Sequence, residues 1–312
     1  FHVTGVQTCA LPISDHPFVF GMVSPAEYER VVRYGAPVGS VIEMHSSLPR
    51  CMGRLKDLID GAGPETRPPP SGTVVAAGEL AGGSGRFNRS WFAPPGGLWL
   101  ALAWADNLLP EFSRLIPLGA GTACCEAVRA FGVHAAVKWV NDLHVNGRKL
   151  GGILCETFTG GEAGDRYHLI GIGINGNNSG FPPELRQSAC SMREVLGGSV
   201  NLVHLMVVLL AGLSWHLGLV HLMEEHYLEY PESGPAGAGS NPLRDAWLRV
   251  SDTPGRQVLY GYDVVRRPLY KAKALDIDGD GSLILRTEDG GTVRETGGEI
   301  IYLAGEVNRE GS

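Results

Sequence analysis

The sequence predicts an α+β protein: a mixed β-sheet with helices on one face, followed by a small β-barrel. Three observations carry that expectation. Strand-like and helix-like segments are interleaved irregularly, without a strict βα repeat. Residues 138–157, KWVNDLHVNGRKLGGILCET, contain Asn146-Gly147, the strongest short hairpin signal, because a two-residue type I′ turn needs φ > 0 at both central positions. From Arg256 onward only short alternating strands recur, at 257–260, 270–275, 282–286 and 292–295, as in a small barrel.

In chain order, residues 3–13, VTGVQTCALPI, read as the translation of a common sequencing adapter. They lack the basic start of a signal peptide, so 1–13 is set aside and the natural N-terminus is expected to be missing. Residues 14–38 form a polar lead-in. A strand over 39–47 precedes a helix to about Ile59, and the proline-rich 61–72, GAGPETRPPPSG, is a surface loop. A strand over 73–77 leads into a glycine loop, 98–104 is a second strand, and 113–131 is a helix with core-type Ala, Cys and Leu positions. The Asn-Gly turn joins a strand ending near His144-Val145 to one running through 150–155. A strand over 167–174 and a long helix over 201–230 follow. Residues 231–242, PESGPAGAGSNP, are a linker by composition. The expected divisions are therefore 14–38, a main domain 39–230, the linker 231–242 and a barrel 243–306.

Net charge is −7, and residues 1–13 contain no charged side chain, so setting them aside changes nothing. An acidic chain without a basic arm argues against nucleic acid as a partner. Without Cys9 five cysteines remain, an odd number with no C-x-x-C, which favours buried reduced thiols and a cytoplasmic setting. Residues 202–220 are 19 positions without a formal charge, long enough to span a membrane. His204, Ser214 and His216, the lack of flanking Lys or Arg, and Glu224-Glu225 favour a buried helix instead.

Lys149 leaves the turn in a fixed direction, and Gly151-Gly152 lets a ligand or another backbone approach closely. That suits an anion, although the turn alone fits a solvated surface lysine equally. Gly82-Gly83-Ser84-Gly85-Arg86 can wrap a ligand, with Arg86 available to a phosphate or carboxylate, although a mobile surface loop has the same composition. Two other motifs do not hold. Gly171-Ile172-Gly173-Ile174-Asn175-Gly176 fits G-x-G-x-x-G, but residues 177–183, NNSGFPP, cannot open the helix that a dinucleotide site needs. Asp276–x–Asp278–x–Asp280-Gly281 begins like a calcium loop, yet position twelve is Thr287 and the flanks alternate as strands, which reads as a hairpin turn. The histidines show no metal-binding spacing, so no protein-built metal site is implied.

KWVNDLHVNGRKLGGIL resembles the signature hairpin of biotin–protein ligases, with Val140 where that family usually has Pro. Residues 83–100, GSGRFNRSWFAPPGGLWL, resemble its glycine- and arginine-rich loop and Trp…Pro-x-Gly-Gly segment. Residues 170–178, IGIGINGNN, resemble its late strand, and Gly297-Gly298-Glu299-Ile300 the close of its terminal barrel. The resemblance covers about residues 38–305. It implies a sheet core of the class II aminoacyl-tRNA synthetase type, a C-terminal SH3-like barrel, and an enzyme that forms biotinyl-5′-AMP from biotin and ATP and passes biotin to a lysine of a biotin carboxyl carrier protein. Lys149 then matches the lysine that contacts the biotin carboxylate and α-phosphate, and Ser84, Gly85 and Arg86 the loop folding over biotin and adenylate. Trp91 matches a Trp of the adenine pocket, and Asn141 and Asp142 polar residues near ATP and its Mg²⁺. Lys138 and Asn175 are further ATP-site candidates, and Gly171 and Gly173 belong to the biotin pocket, whereas Trp139 and Leu143 read as strand core.

Two departures concern the acid substrate. The family's Asp-Ser-Thr-Asn, whose hydroxyls bond the ureido ring, matches His45-Ser46-Ser47-Leu48 here, which keeps two hydroxyls. Its Gln before the glycine loop matches Leu80. Ser84 also stands for the loop's first Arg and Asn88 for a Gly. Losing one neutral hydrogen bond costs about 0.5–1.5 kcal/mol, so these changes bear on affinity more than on reaction type. The alternatives are a lipoate or other acyl-protein ligase of the same superfamily, disfavoured because Arg-Arg-x-x-Gly-Gly-Gly is absent, and a biotin-sensing repressor. For the latter, the 25 residues from 14 to 38 are too few for a helix-turn-helix domain, so its DNA-binding domain would be missing here, and the truncated N-terminus keeps this alternative in place. No membrane partner is expected, and a homodimer stays open.

Overall fold

Seven strands, β1 (Ile42–His45), β2 (Thr73–Ala77), β3 (Leu98–Ala105), β4 (Ala136–Lys138), β5 (Asp142–Val145), β6 (Arg148–Gly160) and β7 (Asp165–Ile174), form one sheet in the order β1-β2-β3-β7-β6-β5-β4. Only β1 and β2 run parallel, joined by the helix α2 (Cys51–Asp60). The computed structural model describes residues 23–231 and 241–303. The adapter-like segment, the lead-in up to residue 22, linker residues 232–240 and barrel residues 304–306 lie outside the described residues.

The sequence of β3, LWLALAWA, explains why both faces of this sheet are covered. Successive side chains point to opposite faces, and seven of its eight residues are buried. Leu98, Leu100, Leu102 and Trp104 enter the larger core, with α4 (Ile116–Arg129) and α6 (Leu202–Glu229). Ala101 and Ala103 face the other way and meet Cys51, Met52, Leu55 and Ile59 of α2. The expectation of helices on one face is therefore corrected: the small alanines give α2 room to pack on the opposite side. The expected helix over 113–131 is likewise two, a single turn α3 (Pro110–Ser113) and α4, whose first turn holds Pro117, a residue suited to a helix start.

Three helices go beyond those expected from the sequence. In the lead-in, α1 (Pro25–Gly35) opens with a capping box, Ser24 Oγ accepting from the Glu27 N–H and the Glu27 carboxylate accepting from the Ser24 N–H. It packs along α6, where a Cβ at Gly218 would fall 2.2 Å from the Val31 carbonyl oxygen. The short α5 (Met192–Leu196) ends in the left-handed Gly197. After the linker, α7 (Pro242–Val250) packs on α4 and contributes Leu243, Trp247 and Val250 to the larger core. Helix α6 is long and apolar enough to cross a membrane by length and composition, and 61% of its apolar window is buried within the protein.

The second sheet consists of β8 (Gln257–Gly261), β9 (Tyr270–Ile277), β10 (Leu283–Thr287), β11 (Thr292–Glu295) and β12 (Glu299–Tyr302), antiparallel in the order β11-β10-β9-β8-β12. Among the described residues no pairing joins β11 to β12. Asp278 and Asp280, in the turn between β9 and β10, both pair with Arg294, as a hairpin turn allows. Trp139 links the sheets: it is 2% exposed, and its Nε1–H donates to the Gly281 carbonyl at 3.1 Å.

Candidate active site

The hairpin turn has the expected backbone, with φ of 50° at Asn146 and 78° at Gly147. Val145 pairs with Arg148 and His144 with Lys149, after which a register shift pairs Leu143 with Gly151 and Asp142 with Gly152. Lys149 is also held from outside the hairpin. Its N–H donates to the Ser188 carbonyl at 2.7 Å, and its own carbonyl accepts from the Cys190 N–H at 3.0 Å. Its side chain lies across Gly152, where an added Cβ would stand 3.3 Å from Lys149 Cε. With no side chain in the way, Lys149 Nζ comes within 2.7 Å of Asp142 Oδ1, while Lys138 Nζ lies 3.3 Å from Asp142 Oδ2. Burial pushes the Asp142 carboxyl up, but the two ammonium groups outweigh it and hold the group below its ordinary value.

Glycine also clears the floor. Gly152 pairs with Gly173, and the Trp91 indole rests on both: a Cβ at Gly173 would stand 2.9 Å from Trp91 Nε1. Lys149 Nζ sits 5.2 Å from the centre of a Trp91 ring, within cation–π range, and Trp99 meets Trp91 edge-on at 6.4 Å. A Cβ at Gly171 would meet Met52 Sδ at 2.6 Å.

The glycine loop follows. Gly85 N–H donates to the Arg89 carbonyl at 2.8 Å and Trp91 N–H to the Gly83 carbonyl at 2.9 Å, closing the loop on itself. Arg86 Nη1 donates to the Gly298 carbonyl at 2.6 Å, and Arg89 pairs with Glu299 and Asp263.

These parts surround a cavity of about 350 Å³. Of the residues expected from sequence, Leu80, Ser84, Gly85, Arg86 and Trp91 line it, as do Asn141, Asp142, Lys149, Gly171, Gly173 and Asn175. Asn141 and Asn175 are braced, their amides donating to the Ile153 and Cys190 carbonyls. Lys138 is not in the wall and acts on it only through Asp142. Ser46 and Ser47 are a correction: both are exposed and outside the cavity. Strand β1 ends at His45, Leu48 bridges to Leu80, and α2 starts at Cys51, so Arg50, Cys51 and Met52 build that wall instead. Burial raises the Cys51 thiol to about 12, which keeps it protonated. Sequence reasoning also misses Phe181 and Leu185, on the segment that pairs with Lys149, and Glu299. No residue pattern marks Phe181 or Leu185, and the motif holding Glu299 points only to the barrel, because each reaches the cavity by long-range contact.

Two buried polar atoms of the wall, Ser84 Oγ and Trp91 Nε1, have no hydrogen-bond partner. Buried polar groups are nearly always paired, so these fit a ligand that presents acceptors. A protein-held Mg²⁺ fits less well. Both Asp142 oxygens are engaged by lysines, and the described residues contain no group of three His, Cys, Asp or Glu arranged for a metal.

Residues 63–177 match the model of the biotin/lipoate A/B protein ligase family. The chain is 30% identical over 229 residues to the bifunctional ligase/repressor BirA of Bacillus spizizenii, covering 71% of this chain and 63% of that protein. It therefore spans less than two thirds of that relative's length. A shorter match, 36% identical over 109 residues, is to the biotin–[acetyl-CoA-carboxylase] ligase of Paracoccus denitrificans and covers 32% of this chain and 43% of that protein. Among solved structures, the biotin protein ligase from Aquifex aeolicus in complex with biotin and ATP superimposes with a TM-score of 0.64 at 20% identity, covering 85% of this chain and 99% of that one, so the fold is shared. The chain belongs to the biotin/lipoate A/B protein ligase family.

Proposed function

We propose that the protein is a biotin–protein ligase that forms biotinyl-5′-AMP from biotin and ATP and transfers biotin to a lysine of a biotin carboxyl carrier domain. The observation that carries this reading is Lys149, held by Asp142 over the Gly152–Gly173 floor beside Trp91. Joining a carboxylate to an amine in water needs activation. A carboxylate oxygen attacks the α-phosphorus and pyrophosphate leaves; the acceptor amine then attacks the acyl carbon, AMP leaves, and the amine loses a proton. The first step brings two anions together, so the protein's part is positioning and charge stabilisation. An ammonium has three donors, so Lys149 can keep Asp142 and still reach the carboxylate and α-phosphate. Ser84 Oγ and Trp91 Nε1 offer further donors, and Arg86 a bidentate cation.

The activity of the relative in Paracoccus, a biotin–[acetyl-CoA-carboxylase] ligase, supports biotin over lipoate. The five-stranded C-terminal sheet fits the SH3-like barrel that the resemblance implies, and Mg²⁺ would arrive with the triphosphate. Five free cysteines among the described residues, four of them buried, support a reducing compartment such as the cytoplasm. Incubating the protein with ATP and either biotin or lipoate, and detecting the adenylate, tests the reading. Biotinyl-AMP is expected. Lipoyl-AMP alone would favour the acyl-ligase alternative, and no adenylate from either acid would remove both.

A further inference from the structure

Arg89 joins segments 210 residues apart in sequence. Its Nη1 donates to Glu299 Oε1 at 3.0 Å, and its Nη2 to Glu299 Oε2 at 2.9 Å and to Asp263 Oδ1 at 2.5 Å. Glu299 opens β12, and Asp263 follows β8. Both carboxylates are largely buried, with 16% and 17% of their side chains exposed, against 37% for Arg89. The fork-on-fork geometry on Glu299 sets direction as well as distance. Beside it, Arg86 Nη1 donates to the Gly298 carbonyl, and the Phe87 ring lies 5.3 Å and 5.2 Å from the Arg86 and Arg89 guanidinium carbons. Phe87 has a φ of 56°, a left-handed backbone that a non-glycine residue keeps only where its surroundings hold it.

We propose that Arg89 is a positioning residue: clasped by Glu299 and Asp263 of the C-terminal sheet, it fixes the glycine loop over the cavity and so sets how long an activated acid is retained. The loop is short and closes on itself through the Gly85 and Trp91 amides, so holding Arg89 orients Ser84, Arg86 and Trp91 together. The C-terminal sheet thereby acts on the site without supplying the phosphate-binding cation. Adenylate retention rests on the proposed ligase reading, whereas the clasp itself stands on geometry independent of the ligand.

Two measurements separate these. Amide hydrogen exchange at Gly85 and Trp91, on the protein without substrates, should be about tenfold faster in Arg89→Ala and in Glu299→Gln, with Arg89→Lys intermediate because it keeps the charge and loses the fork. The bound adenylate should dissociate about tenfold faster from Arg89→Ala, seen as biotinylation of bystander lysines. Exchange within twofold of the unaltered protein in both Arg89→Ala and Glu299→Gln would overturn the clasp. Faster exchange with unchanged adenylate retention would overturn its role in holding the ligand. Should the unaltered protein form no biotinyl adenylate, the biotin reading fails, while the exchange measurement still decides the clasp.

Discussion

Lys149 and Arg86 are the two cations expected to meet the anions of the reaction, and the protein holds them by opposite means. Lys149 stands one residue after a self-defining turn, its side chain crosses a glycine, and its carboxylate partner lies seven residues earlier on the paired strand. Arg86 stands on a loop whose anchors, Gly298, Glu299 and Asp263, are all more than 170 residues away. The hairpin's geometry rests on local dihedral preference and strand pairing, reinforced at Lys149 by backbone bonds to Ser188 and Cys190, and the loop's on tertiary contact. On the proposed reading, charge stabilisation in place before the reaction belongs to the hairpin, and admitting and releasing substrate to the loop held from a distance.

The sharpest way to break this comparison is Lys149→Ala. Losing one preorganised donor should lower single-turnover adenylation by about 10²–10³-fold. A drop under threefold would place the charge stabilisation elsewhere and leave the hairpin without a chemical role.

Gly173→Ala tests whether the bare floor matters. The new Cβ would fall 2.9–3.1 Å from Nε1, Cε2 and Cζ2 of Trp91, so the rigid indole must move off the floor. A destabilisation of about 1–3 kcal/mol is expected by chemical denaturation, with weaker biotin binding by calorimetry. Unchanged stability and binding would show that Trp91 is not seated by this contact.

Asp252→Asn probes the tie between the hairpin and the C-terminal part of the chain. His144 of β5 lies 2.9 Å from Asp252, and although burial pushes this carboxyl up, His144, the Tyr302 hydroxyl and Arg256 bring it to about 2. A depressed folded-state value contributes stability above the ordinary carboxylate range and loses it as pH falls through about 2. The variant should therefore be less stable by about 1–2 kcal/mol at pH 7, the difference shrinking as pH falls from 4 to 2, while adenylation stays within a few-fold. A constant difference from pH 7 to 2 would assign the effect to packing. A large loss of activity would show that the hairpin depends on this distant contact after all.

The smallest expected effect is at the acid end of the cavity. Leu80 lines the wall with its side chain against the α2 core, and the two serines matched to the ureido-binding hydroxyls are outside. Leu80→Gln should tighten biotin binding by at most about 1.5 kcal/mol, roughly tenfold, with a bridging water shrinking the gain. Weaker binding in a titration would mean that the wall is built for an apolar group, and the acid would then need to be sought beyond biotin.

Local chemistry made much of this protein legible from its sequence alone. Asn146-Gly147 sets its turn through backbone dihedrals. The apolar strand at β3, the uncharged run in α6 and the rejection of a dinucleotide loop at residues 177–183 likewise depend on neighbours in the chain. Helix α1 has a capping box, but the polarity of the lead-in masks it. Only the tertiary structure decided that α2 covers the second face of the sheet, that Ser46 and Ser47 stay outside the cavity, and that Phe181, Leu185, Ser188, Ala189 and Glu299 line it. Those outcomes turn on which distant segments share a surface. Turn dihedrals and side-chain alternation are properties of a few adjacent residues, whereas the Arg89–Glu299 pair exists only after the loop between β2 and β3 has met the C-terminal sheet.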